Sequence, residues 1–197
     1  MEPIRILSAV ALPWPGVNCD TDQIIPARYL QKPRSDNFGD YLFYDLRFDE
    51  KDREVDAFPL NTEPLRHARI VVAGRNFGCG SSREHAVWAL YDYGFRAVVA
   101  PTLGDIFTNN CLKNGVVPIQ LPEDIILAAL DHIARHPGAE VTVDLPNEQV
   151  TMPNGDVHDF AVDPFAKDLL VNGIDELGYT LSLTDAIEDF EQRHKVP

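Results

Sequence analysis

Residues 69–121 read RIVVAGRNFGCGSSREHAVWALYDYGFRAVVAPTLGDIFTNNCLKNGVVPIQL. RIVVAG (Arg69–Gly74), RAVVAP (Arg96–Pro101) and VVPIQL (Val116–Leu121) are short apolar runs rich in β-branched residues. Such runs, bounded by Gly or Pro, are the signature of strands buried on both faces. Between them lie two segments with helical spacing. SREHAVWALYDYG puts Ala86, Leu90 and Tyr93 on one face and offers Gly94 as a C-cap. LGDIFTNNCLKNG is a second helix ending at Gly115. Strand, helix, strand, helix, strand implies crossover units and parallel pairing.

Working outward, EDIILAALDHIARHPG is an amphipathic helix between Pro122 and Gly138. AEVTVDL, QVTMPNG and VHDFAV alternate as a hairpin or meander does, with Asn154–Gly155 as a turn signal. PFAKDLLVNG and LTDAIEDFEQRHK read as closing helices. On the other side, Met1–Arg66 reads as irregular and rich in Asp, Pro and aromatics; SDNFGDYLFYDLRFDEKDREVDAF suggests loops with short helical turns. The expectation is one α/β domain over residues 1–197: a mixed sheet with flanking helices, an irregular N-terminal third and a C-terminal hairpin-helix region.

Hydrophobic residues make up 45% of the 197-residue chain, which suits a packed core. Against 31 acidic residues there are 17 basic ones, for a formal charge of −14. That excludes nucleic acid as a main partner, because phosphate contacts need clustered Lys and Arg. A few arginines in one cleft still suffice for a small dicarboxylate. MEPIRILSAVALPWPG has an apolar run broken by Pro13 and Pro15, unlike a signal core, and no run approaches a membrane span. A soluble cytoplasmic protein is expected. Cys19, Cys79 and Cys111 are odd in number, widely spaced and without a C-x-x-C pair, so neither a disulfide framework nor a metal site is read in them.

The chemistry concentrates in NFGCGSSREHA (Asn76–Ala86), between the first of these strands and its helix. Ligands of open α/β sheets sit beyond the carboxyl ends of strands. Gly78 and Gly80 permit close approach of a ligand to the backbone. The helix start offers free N–H groups and the positive end of its dipole, and Arg83 adds a fork that fits a carboxylate. A plainer reading coexists: Ser81-x-x-Glu84 has the form of a capping box. No Gly-Lys-Ser/Thr follows, so this is not a phosphate-binding P-loop, and Arg83 stands where a dinucleotide fingerprint needs its third glycine.

GRNFGCGSSREHAVWALYDYGFRAVVAP closely resembles the small subunits of 3-isopropylmalate dehydratases, which are similar to the swivel domain of aconitase. NCDTDQIIPARYL resembles the family's N-terminal Asp-Thr-Asp motif, GDIFTNNCLKNGVVPI its later segment and DELGYTL its C-terminal motif. The resemblance spans nearly the whole chain. It implies a swivelling β/β/α fold and a hydro-lyase of leucine biosynthesis that interconverts 2- and 3-isopropylmalate through isopropylmaleate. It implies a [4Fe–4S] cluster, carried by a separate large subunit and acting as Lewis acid on the departing hydroxyl, so that this chain alone is inactive. By the same resemblance Ser81 is the base, and Ser82 and Arg83 hold the substrate carboxylate. The DTDQIIPARYL loop would help select the side group. Asp20, Thr21 and Asp22 are candidate substrate contacts there, or else they close a turn through Asx-type bonds. Arg28 is a candidate for the distal carboxylate, and Cys79 and His85 are supports. Related small subunits for citraconate, 2,3-dimethylmalate or homoaconitate, or a non-catalytic anion-binding protein, are the alternatives.

Overall fold

The structure, a computed structural model, describes residues 1–34 and 37–194. Strands β1 (Ile6–Trp14), β2 (Ile70–Ala73), β3 (Ala97–Ala100), β4 (Val117–Gln120), β5 (Glu140–Asp144), β6 (Gln149–Thr151) and β7 (Val157–Asp159) form one sheet. Its order is β4-β3-β2-β1-β5-β6-β7. Helices are α1 (Thr21–Ile24), α2 (Tyr44–Arg47), α3 (Glu84–Tyr93), α4 (Asp105–Lys113), α5 (Glu123–Arg135), α6 (Pro164–Asn172), α7 (Glu176–Ser182) and α8 (Thr184–Arg193).

The sheet is mixed. β1 to β4 run parallel, with α3 and α4 as crossovers, and β5 to β7 are antiparallel. All four residues of β2 and of β3 are buried, as expected of strands covered on both faces. On one face Val71, Val98 and Leu12 pack with α3, with Phe107 of α4 and with Phe38, Leu42, Phe43 and Leu60 of the N-terminal segment. On the other, Ile70, Val72 and Val99 pack with Ile126, Leu130 and Ile133 of α5 and with Val141, Val143 and Val150. Burying each such side chain contributes roughly 1.5–3 kcal/mol before entropy is counted.

One expectation fails in the N-terminal third. The stretch that reads as irregular contains β1, nine residues long and central in the sheet. Pro13 hid it, because proline removes a ladder donor. The ladder explains why it is tolerated. Ala11 N donates to Ala139 O toward β5, and Pro13, two residues on, faces the same side. β5 pairs only as far as Val10, so the missing N–H faces no partner strand. The rest of this third does form short turns and helices. A buried cation pins it: Arg47 Nε donates to Asn61 Oδ1 at 3.1 Å, and Asn61 Nδ2 donates to Arg47 O and Val55 O. Within that third, Ser35 and Asp36 lie outside the described residues, as do Lys195 to Pro197 at the chain's end. The C-terminal reading also missed α7. No described helix is long and apolar enough to cross a membrane.

Candidate active site

Beyond the carboxyl ends of β1, β2 and β3, three loops continue the parallel pairing past the sheet. Gly78 N and Cys79 N both donate to Cys19 O, and Thr21 N donates to Cys79 O at 3.0 Å. Phe77 N donates to Thr102 O and Gly104 N donates to Phe77 O. The results are bridges Asp20↔Cys79 and Phe77↔Leu103. The backbone of Gly78 has φ +73°, and a Cβ there would fall 2.2 Å from the Phe107 ring. A Cβ on Gly104 would fall 2.5 Å from Gly78 O. Only glycine at both positions lets the second and third loops touch.

The loops enclose an open pocket of about 260 Å³, lined by Thr21, Gly78 to Arg83, and Gly104 to Phe107. Two helix N-termini border it, those of α3 and α4. Among the described residues the N–H groups of Gly80, Ser81, Ser82 and Arg83, and the hydroxyls of Ser81 and Ser82, have no protein partner. These donors suit an anion. Arg83 Nη1 donates to Asp22 Oδ1, and the Arg83 side chain is only 14% exposed. Asp22 holds one arm of the guanidinium; the rest of the fork is unspent.

The capping-box reading does not hold. The N-cap of α3 is Arg83, with no side-chain cap bond. Glu84 instead accepts from Asn114 Nδ2 at 2.8 Å, while Asn114 Oδ1 accepts from Trp88 Nε1. The glutamate ties α3 to the end of α4, and Ser81 and Ser82 stay free of the helix. A capping box does exist in the stretch where the alternative reading had Asx-type turn bonds: Asp20 caps α1 by accepting from Gln23 N, and Gln23 Oε1 accepts from Asp20 N. Thr21 is 2% exposed, and its Oγ1 donates to Ser81 O at 2.8 Å.

Ser81, Ser82, Arg83 and Thr21 are therefore brought together, with Asp20 and Asp22 just behind them. Arg28 is not among the pocket-lining residues. Its guanidinium is bidentate to Asp45 and lies over the rings of Tyr29 and Tyr44. Hydrogen bonding from Arg28 holds the Asp45 carboxyl below its ordinary range. Cys79 lines the pocket, whereas Cys19 and Cys111 are buried, and burial pushes both thiols up. His85 packs on Trp88 and Phe38. The sequence reading missed Gly104, Asp105 and Ile106. A second strand–Gly–helix junction, AVVAPTLGDIF, was the available signal.

Comparison with known proteins agrees with this architecture. A family model described as the aconitase C-terminal domain matches residues 1–124, and a second, LeuD_N, matches residues 130–164. The 3-isopropylmalate dehydratase small subunit of Paramagnetospirillum magneticum is 47% identical over 195 residues, covering 99% of this chain and 97% of that protein. That of Rhodospirillum centenum is 48% identical over 198 residues, covering 99% and 96%. A crystal structure of 3-isopropylmalate dehydratase (leuD) from Methanocaldococcus jannaschii superposes with a TM-score of 0.67 at 27% identity, covering 94% of this chain and 99% of that one. By fold and by sequence along its length, the chain belongs to the 3-isopropylmalate dehydratase small-subunit family, built on the aconitase C-terminal domain.

Proposed function

We propose that this chain is the base-bearing half of a cytoplasmic hydro-lyase that interconverts 2-isopropylmalate and 3-isopropylmalate through isopropylmaleate, in leucine biosynthesis. One observation carries the reading: two free serine hydroxyls, a row of unspent N–H groups and a largely buried arginine fork share one open pocket. Ser81 removes a proton from the carbon α to a carboxylate. The C–H electron pair becomes the C=C bond and hydroxide leaves the neighbouring carbon. Water adds in the opposite sense to give the isomer. The proton is weakly acidic, so the base must be strong at the moment of transfer. Neighbouring N–H groups, the α3 dipole and Arg83 lower the cost of negative charge on Ser81. Ser82 and Arg83 hold a substrate carboxylate. Thr21 fixes the backbone of Ser81 by its bond to Ser81 O.

The family implies a [4Fe–4S] cluster. Among the described residues no group of three or more His, Cys, Asp or Glu side chains is placed to hold a metal ion, and two of the three cysteines are buried. The described residues do not fit the cluster, which in this proposal rests on a large partner subunit. The test is anaerobic turnover of 2-isopropylmalate, followed by alkene absorbance, with the cognate large subunit added and omitted. Turnover is expected only with the partner, and Ser81→Ala should lower kcat by about 10²–10⁴-fold. Turnover of a different 2-hydroxy diacid alone would move the substrate assignment, and undiminished kcat in Ser81→Ala would remove the base assignment.

A further inference from the structure

The C-terminal helices are anomalous. Neither α7 nor α8 has a buried residue. Yet they carry a line of large apolar side chains: Leu177 is 66% exposed, Leu181 63%, Ile187 42% and Phe190 60%. Leu183, Ile187 and Phe190 recur at helical spacing, so α8 has an apolar stripe. Helices this short are marginal in water, and most of their stability comes from packing an amphipathic face. The DELGYTL motif lies here, and the chemistry of the pocket makes no use of it.

Helix α4 leads from the site to the start of this patch at α7. Ile106, at the start of α4, lines the pocket and is 51% exposed. Farther along α4, Asn109 and Lys113 border a cleft of about 500 Å³ whose opposite wall includes Phe165 of α6 and Glu176 of α7. Lys113 pairs with Glu176 at 3.4 Å, and Phe165 stands edge-on to Tyr179 with ring centroids 4.9 Å apart. A partner that closes the mouth of the pocket therefore meets α4 next, and α7 after it.

Charge selects among occupants. On α8 Glu191 borders the stripe, Glu188 and Asp185 lie farther round the helix, and none of the three has a cationic partner among the described residues. A second copy would set one acidic helix against another on chains of formal charge −14. We infer that the α7–α8 stripe docks on the large subunit, in an apolar groove with a basic rim, as an extension of the interface that closes the active site. This rests on the proposed function.

The test uses the full-length chain and the purified large subunit, with affinity and association rate read by biolayer interferometry. Leu181→Ser/Phe190→Ser should weaken binding by about thirtyfold or more. Circular dichroism and sedimentation of the isolated variant should match wild type, since both side chains are already exposed, and kcat at saturating large subunit should be retained. Glu188→Lys/Glu191→Lys should slow association and flatten its salt dependence. This second variant decides the matter if the first loses helix signal. Binding within about threefold of wild type overturns the inference. So does a wild-type chain that dimerises alone and is made monomeric by Leu181→Ser/Phe190→Ser. If the wild type neither binds the large subunit nor supports turnover, the proposed function itself fails. Wild-type turnover with unaltered variant binding sinks only the docking surface.

Discussion

Two segments meet at the pocket, and they use their polar atoms in opposite ways. In Asn76–Arg83 the hydroxyls of Ser81 and Ser82 and the N–H groups of Gly80 to Arg83 have no protein partner among the described residues. In Asp20–Leu30 the polar side chains are committed: Asp20 caps α1, Thr21 donates to Ser81 O, Asp22 pairs with Arg83 and Arg28 pairs with Asp45. A side chain whose bonds are already made holds a site in shape. One whose bonds are open can serve a ligand. Both segments are rich in polar residues, so composition alone does not separate them.

The sharpest way to break this contrast is to fill the space between the loops. Gly78→Ala would force a Cβ to within 2.2 Å of the Phe107 ring at a φ of +73°. It should cost about 3–5 kcal/mol, combining left-handed strain with overpacking. Chemical denaturation would read this; a loss under 1 kcal/mol would show that the loops can part cheaply. Next is Arg83→Lys, which keeps the charge and removes the fork. We expect kcat/KM to fall about 10²-fold in the complex with the fold intact. An unchanged kcat/KM would mean that Arg83 serves only Asp22.

A smaller effect is expected in the committed segment. Thr21→Val retains shape and removes the bond to Ser81 O. Stability should drop by about 1 kcal/mol, with kcat reduced more than KM is raised. Equal turnover would show that the Ser81 backbone needs no such anchor. Smallest of all is Arg28→Ala. Its pair with Asp45 is exposed, so its contribution should stay under about 1 kcal/mol, and steady-state turnover should be near wild type. The sign with pH follows from Asp45, whose pKa is lowered from 3.8 by the Arg28 bond. The pair stabilises the fold above that value, and the stabilisation is lost as pH falls through the lowered one. The wild-type advantage over Arg28→Ala should therefore vanish in acid; an advantage that grows there would refute the assignment, and a large loss of kcat/KM at neutral pH would return Arg28 to the substrate.

Some of this was written in local sequence. Apolar runs of four to six residues separated by helical spacing fixed β2 to β4 with α3 and α4, because burial on both faces leaves no other pattern. Glycines and serines at a strand-to-helix junction marked the pocket for the same local reason. What stayed illegible depended on distant partners. β1 was concealed because Pro13 is acceptable only where β5 has stopped pairing, and that is set by the register of residues 130 positions away in the chain. Ser81-x-x-Glu84 looked like a cap, but Asn114 claims the glutamate. Arg28 looked available until Asp45 was seen beside it. Periodicity records how a segment meets water and core. Whether a given polar atom is spent or free depends on which other segment arrives next to it, and only the tertiary structure decides that.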